Sequence, residues 1–364
     1  MTVDTMPSPT LFDLLARHWT LPAPVVSATF NRDETAVAFA MEDSLAIASM
    51  ADPERPETRV RLSVEDGRRT ILPRKAAVRP TVSVGDAAAP VVSLGDRQFL
   101  AAGTRGGIMR ITPRGLAVPL RLDLGGSVGP IARDPASRAV AVGAGDAVHL
   151  LDAEDVERST VLSFGEPITA LAFAPGGGRL AVGHARGVSF VTDGALGAGV
   201  ALDHVPVTLS FSPDGRRLAC AFDEPGFALI DPDDCDGEMV EDFPTPVRSF
   251  AWTPDTTVLA ASGAFRVVAW ALDDGHLGDA LHAGRNGLVV VERVAANPER
   301  PLIAGGYANG LVAVVQTGSN DEMVLRADGA PVSALAWSPG GQHLAIGDTS
   351  GNAAIASFPP DIFK

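Results

Sequence analysis

The stretch FSPDGRRLACAF, Phe211–Phe222, decides the reading of this chain. Phe211 ends an apolar run. Pro213, Asp214 and Gly215 then supply turn chemistry: proline fixes φ, a short aspartate bonds its own backbone, and glycine accepts positive φ. Leu218 to Phe222 reads as a second strand of small and apolar residues. The same x-Pro turn returns at Asp134-Pro135, Ala174-Pro175, Ser212-Pro213, Thr253-Pro254, Asn297-Pro298 and Ser338-Pro339. The prolines are spaced by 40, 38, 41, 44 and 41 residues. Self-similarity at a fixed period is the signature of a repeat architecture.

Each turn has the same surroundings. Upstream lies an apolar strand, as in PITALAFAP, PVTLSFSP, PVRSFAWTP and PVSALAWSP. Downstream comes a second strand ending in small residues: RLAVGHA, RLACAF, VLAASGA, LIAGGYA, HLAIGD. After a short turn a third strand follows, as in GVSFVTD, GFALIDP, RVVAWAL, GLVAVVQ and NAAIASF, and a weaker fourth closes most units. Four strands in a period of about 40 residues make one blade of an all-β propeller.

Two further units lack the proline. Residues 27–49 fit with Arg32 at its place, and residues 91–112 fit with a shortened first strand. Counted strictly there are eight blades; seven follows if 91–112 and 51–90 form one elaborated blade. The extra sequence at 51–85 is charged and contains proline, and reads as a fourth strand with a protruding inserted loop. Residues 1–10 are expected to be disordered and 11–364 to form a single propeller. The chain ends after a third strand, so the segment ARHWTLP (16–22) is expected to supply the missing outer strand, closing the ring and removing its open edge.

Composition excludes several classes. The formal charge is −15, unsuited to a phosphate backbone. No apolar run reaches the roughly 18 residues of a membrane helix, and the N-terminal residues lack the basic and apolar regions of a signal peptide. Two cysteines, Cys220 and Cys235, make no disulfide framework, so a reducing cytoplasm is expected. Arginine almost entirely replaces lysine, which occurs only as Lys75 and Lys364 and reads as the imprint of a GC-rich bacterial genome.

The chain resembles the WD-repeat β-propellers in its x-Pro-Asp-Gly turn, its small-residue second strand and the spacing of its third. The resemblance covers residues 24 to about 358. The Trp-Asp pair is intact nowhere; Trp270 keeps its tryptophan, and Asp152 and Asp231 its aspartate. His204 stands as a remnant of the family's Gly-His, with Glu224 near the position of the turn aspartate. The resemblance implies scaffolding by the face made of the turns between second and third strands and the loops entering each blade.

No catalytic or metal-binding pattern emerges. The seven histidines include no pair at i, i+4 and no His-Glu-x-x-His. His149 reads as a satisfied structural residue. The acidic run DPDDCDGEMVED (231–242) misses the calcium-loop spacing because Cys235 occupies a ligand position. There is no nucleophile elbow and no phosphate-binding loop. Cys220, inside a second strand, is expected to be buried and inert. Phe30, Phe173, Phe211, Trp252 and Trp337 recur just before the turn dipeptide and are expected to pack between blades.

The varied loops of the implied face carry Arg105, His184, Arg186, His204, Asp223, Glu224, Phe265, Arg266, Arg285, Asn286, Tyr307 and Asn309, with Asp348 and Thr349 beside them. Varied loops on a repeated frame suit recognition. The expectation is a non-enzymatic, monomeric platform for another protein or peptide, without cofactor or metal, binding neither nucleic acid nor membrane. The rival is a metal-dependent propeller hydrolase or lactonase, or a propeller for a small ligand. It is disfavoured because first strands such as ITALAFA and VSALAW offer no inward carboxylate. A weak metal or small-anion site among His184, Arg186, His204, Asp223 and Glu224 is the one exception considered.

Overall fold

A computed structural model describes residues 9–63, 68–152, 159–273, 275–285 and 287–363, apart from the side chain of His282. Eight four-stranded antiparallel sheets form an eight-bladed β-propeller. Blade I is drawn from residues 27–84, II from 87–119, III from 128–163, IV from 168–201, V from 206–240, VI from 250–283 and VII from 291–326. Blade VIII combines residues 332–357 with Ala16–Thr20. Within each blade the strands follow chain order from the axis outward, save that Ala16–Thr20 supplies the last position. The seven-blade alternative falls, because residues 87–119 form a complete blade of their own.

The second strands are the core. All residues of Ala36–Ala40 and Leu218–Phe222 are buried. Such a strand has a neighbouring blade on both faces, which explains its continuous apolar run. At its end the approach is closest. A Cβ on Gly306 of blade VII would stand 2.4 Å from Val332 of blade VIII, and one on Gly347 the same distance from Val25, which leads into blade I. The aromatic position before each turn packs as expected: Phe30, Phe211, Trp252 and Trp337 are buried, and Phe173 lies against the cluster between blades III and IV. Two of the indoles also tie blades together. Trp252 donates to Ser210 Oγ (3.1 Å), and Trp337 donates to the Ala295 carbonyl (3.1 Å).

The first strand of blade II is not shortened. It runs Ala87–Leu94, with a register shift between Ala88 and Val91 around Pro90. Proline has no N–H for the ladder, so the break conceals a full strand from a pattern search. Comparable shifts occur in the inner strands of blades III, IV, V, VII and VIII. Each falls near the end at which the chain enters the blade.

The N-terminal strand closes the ring in antiparallel register with the third strand of blade VIII, from Ala16↔Ala356 to Thr20↔Asn352. Of the segment 1–10, Pro9 and Thr10 are described; Thr10 caps the helix Leu11–Leu15 in a capping box with Asp13. Residues 1–8 lie outside the described residues.

The insertion in blade I supplies the fourth strand, Val82–Val84, and residues 64–67 of it lie outside the described residues. It forms the 3-10 turn Pro56–Arg59 and the hairpin Val60–Leu62 with Arg69–Ile71, and folds over the closing strand. Arg59 donates to the Leu14 carbonyl (2.5 Å), and Trp19 donates to the Arg79 carbonyl (2.7 Å). Ile71 joins Leu11, Phe12 and Phe363 against the core of blades VII and VIII. Arg17, only 4% exposed, donates to the Ser49 carbonyl and lies 3.7 Å from Asp52, which Arg74 also holds through both carboxylate oxygens.

Two outcomes follow. Asp52→Ala leaves Arg17 and Arg74 without their shared counter-charge and is expected to cost about 3 kcal/mol. It should also speed hydrogen exchange in Ala16–Thr20 before the rest of blade VIII; denaturant titration and exchange mass spectrometry measure the two effects. Gly306→Val drives a side chain into Val332 and is expected to destabilise the fold by about 1–3 kcal/mol in the same titration.

Candidate interaction face

Strands alternate direction, so the loops entering the blades and the turns between second and third strands share one face of the disc. This face is not a row of free turns. Within several blades the entering loop is pinned to the turn by a charged or polar pair. In blade IV, Arg186 meets Glu166 at 2.8 Å. In blade V, His204 Nδ1 lies 3.3 Å from Glu224 Oε2, and its ring packs on Phe222. At the next junction Arg326, the last residue of blade VII's outer strand, meets Asp348 in the turn of blade VIII at 3.1 Å.

The blade VIII pair is the most buried. Asp348 is fully buried and also accepts hydrogen bonds from Ser350 Oγ, the backbone N–H groups of Ser350 and Asn352, and Asn352 Nδ2. Burial would push its carboxyl up, but these hydrogen bonds from Ser350 and Asn352 outweigh it and hold the group below the ordinary carboxylate range. Asp348 therefore fastens the turn and is not available for recognition.

The other predicted positions separate into three kinds. Arg105, Asp223, Phe265 and Asn309 are exposed, and Arg266 is half-buried. Asn309 shapes its own turn, accepting from the Leu311 N–H (3.2 Å). Arg285 is exposed but lies 3.3 Å from a buried Glu322; Asn286 lies outside the described residues. Tyr307 is turned inward. Its ring is buried in the cluster between blades VI and VII, and burial, with Glu322 nearby, pushes its hydroxyl up to about 12. It belongs to the core, not to the face.

The supposed cluster on blades IV and V resolves into separate pairings. His184 Nε2 lies 2.9 Å from Ser189 Oγ, its Nδ1 accepts from the Arg186 N–H, and burial pushes its imidazole below the ordinary value. Among the described residues no group of three or more His, Cys, Asp and Glu is placed to hold a metal ion. Cys220 is buried, and burial pushes its thiol up. His149 is buried, but it is not the satisfied residue expected: its Nδ1 has no hydrogen-bond partner among the described residues. Asp231, in the acidic run, accepts from the N–H groups of Asp233 and Asp234 and pairs with Arg217, which makes a turn and not a cation loop.

Sequence reading missed the charges on the inner strands of blades VI and VII. Arg248 leads into the inner strand of blade VI and meets Glu292 of blade VII at 3.6 Å. Arg293, next in sequence, donates to the Glu292 carbonyl (2.7 Å). Burial and the neighbouring Arg248 both push the Arg293 guanidinium below its ordinary value. The signal was visible as VERVAA, an inner strand with two adjacent charges where ITALAF and VTLSF have none. Across the axis the same mouth is small and apolar, with a cavity of about 560 Å³ lined by residues that include Val26, Pro90, Pro130 and Ile168.

No protein-family model matches the chain, and no curated protein matches it. Among the described residues no helix is long and apolar enough to cross a membrane. The class established by the fold is the eight-bladed β-propeller.

Asp348→Asn removes the charge that Arg326 faces and is expected to cost about 3 kcal/mol at neutral pH. The unfolded carboxyl titrates near about pH 4 and the native one lower, so this contribution is present above about pH 4 and is lost as pH falls through the native value. The acid limb of a stability-against-pH curve should therefore be shallower for the variant than for the wild type.

Proposed function

We propose that this propeller is a non-enzymatic platform that holds another protein or peptide on the face of its entering loops and second-to-third-strand turns. The observation that carries the reading is the contrast between a repeated frame and a face that changes from blade to blade. The strands and blade contacts recur, whereas the turns carry Arg105, the Arg186–Glu166 pair, the His204–Glu224 pair, Phe265 with Arg266, and Asn309 in succession. This face also exposes large apolar side chains, Phe265 and Leu288 at the rim and Val26 and Val207 towards the axis. Exposed aromatic, leucine and arginine side chains on a rigid support suit a protein interface better than a catalytic pocket.

On this reading the chain is a degenerate WD-repeat propeller. The His204–Glu224 pair keeps the family's link between entering loop and turn, and Arg326–Asp348 makes a similar link from the end of blade VII's outer strand, with arginine in place of histidine. A cytoplasmic, monomeric bacterial protein is the setting that fits the two free cysteines and the composition.

The test is site-resolved cross-linking. A photoreactive residue replacing Phe265 or Asn309 should capture one and the same protein in host lysate, and one replacing Val161 on the outer strand of blade III should not. Capture only at Val161, or at none of the three, would overturn the reading.

A further inference from the structure

On one sector of the face, charge and apolar exposure meet. The turn Ser262–Arg266 of blade VI is fastened on both sides. Ser262 Oγ accepts from the Arg248 N–H (3.0 Å), the Gly263 N–H donates to the Val291 carbonyl (2.8 Å), and the Val291 N–H donates to the Ala264 carbonyl (2.8 Å). Phe265 is thus held in place beside the strand that carries Glu292 and Arg293. Next to it opens a groove of about 470 Å³ lined by Pro244, Ala264, Phe265, Arg266, Val268 and Gly287. Leu288 follows directly and is 92% exposed, the most exposed large apolar side chain among the described residues; Phe265 is 45% exposed.

At the inner strands of blades VI and VII, two arginines stand with one carboxylate. The Glu292 carboxylate pairs with Arg248, whereas Arg293 reaches only the Glu292 backbone carbonyl and, among the described residues, has no carboxylate within ion-pair distance. Glu322 is engaged by Arg285. Glu241 and Asp242 stand at the outer end of the entering loop, before Pro244. In a chain of net charge −15, this is a local excess of guanidinium at the mouth of the axis. Guanidinium groups bind carboxylates through two parallel N–H donors, and partial burial strengthens the contact.

We propose that the face of blades VI and VII binds an acidic, apolar-flanked segment of a partner protein. A carboxylate of that segment seats against Arg248 and Arg293, and the neighbouring apolar side chain lies in the groove against Phe265 and Leu288. The carboxylate supplies the second counter-charge the arginine pair lacks. The apolar contact removes Leu288 and Phe265 from water, which favours association. A nucleic acid would meet the same arginines, but its repeated phosphates would face the negative charge of the rest of the chain. The proposal rests on the interaction-platform reading and adds the partner's chemistry and its blades.

The test pans a displayed library of random linear peptides against the full chain and measures binding of synthetic consensus peptides by fluorescence anisotropy. The expected result is enrichment of Asp or Glu beside Phe, Leu, Met or Trp. Affinity should fall about tenfold or more with Arg293→Gln and with Leu288→Ser. It should also weaken between about 50 and about 300 mM salt, as screening of exposed charge requires. Leu288 is exposed, so Leu288→Ser tests the site even if Arg293→Gln proves unstable. Enriched peptides that are basic, or whose affinity is unchanged by both variants, would overturn the proposal. If such peptides instead lost affinity with Arg186→Ala or His204→Ala, the platform reading would stand and this site would fall. No enrichment of any peptide would count against both.

Discussion

Where Gly306 faces Val332, and Gly347 faces Val25, neighbouring blades stand closer than a methyl group allows. This approach sets the composition of the chain. A second strand lies between two blades and has little solvent face, so it is apolar, with small residues at the closest approaches and large ones such as Phe39, Phe99 and Phe222 between them. At the ends of inner strands, Trp252 and Trp337 bridge to the preceding blade and satisfy their indole N–H groups there. Packing and hydrogen bonding are thus divided by position. Small residues set the distance at the closest approaches, and an aromatic before the turn, present in five of the eight blades, fills the wedge that remains.

Seven blades are continuous in sequence, and the eighth is made from both ends of the chain. Its outer strand is held by the same ladder as elsewhere, but nothing covalent precedes it within the blade. The insertion of blade I lies over this seam. Arg17 reaches the Ser49 carbonyl from the closing strand, and Asp52 and Arg74 complete an almost dry charge group around it. A buried ion pair barely stabilises relative to apolar packing, but it tolerates only one alignment of its partners. Here that alignment adds to the register set by the five-residue ladder, and the apolar side chains of Leu15, Ile71 and Phe358 around it supply the area.

The repeat was legible because its chemistry is local. A proline, an aspartate and a glycine in order make the turn at Ser212–Gly215 whatever surrounds them, and the period follows from counting prolines. Strand order, the count of eight and the role of residues 16–20 came from the same source. What escaped depends on neighbours distant in sequence. Pro90 disguised a full strand because a register shift is a property of two strands. Tyr307 and Asp348 are polar residues at turns, where exposure is the ordinary outcome. One is covered by the core of blades VI and VII, and the other is enclosed by Arg326, Ser350 and Asn352. That Arg59 and Arg74 of the insertion reach Leu14 and Asp52 could not be read from the sequence, because only the fold brings them to the N-terminal strand.

The polar pairs on the varied face bear on function through rigidity. Arg186–Glu166 and His204–Glu224 each tie an entering loop to the turn it overlies, and Arg326–Asp348 ties the end of blade VII's outer strand to the turn of blade VIII. The pairs at blades IV and V are partly exposed, so each contributes little stability. The pair at blade VIII is buried, and it orders one strand end against one turn. A face built this way loses little conformational freedom when a partner binds, because most of its loops are already fixed. Blades VI and VII are fastened differently: their turn is held by the backbone bonds of Gly263 and Val291 together with the hydroxyls of Ser262 and Thr245. None of these bonds uses the side chains of Phe265 and Leu288, which stay exposed on a fixed support.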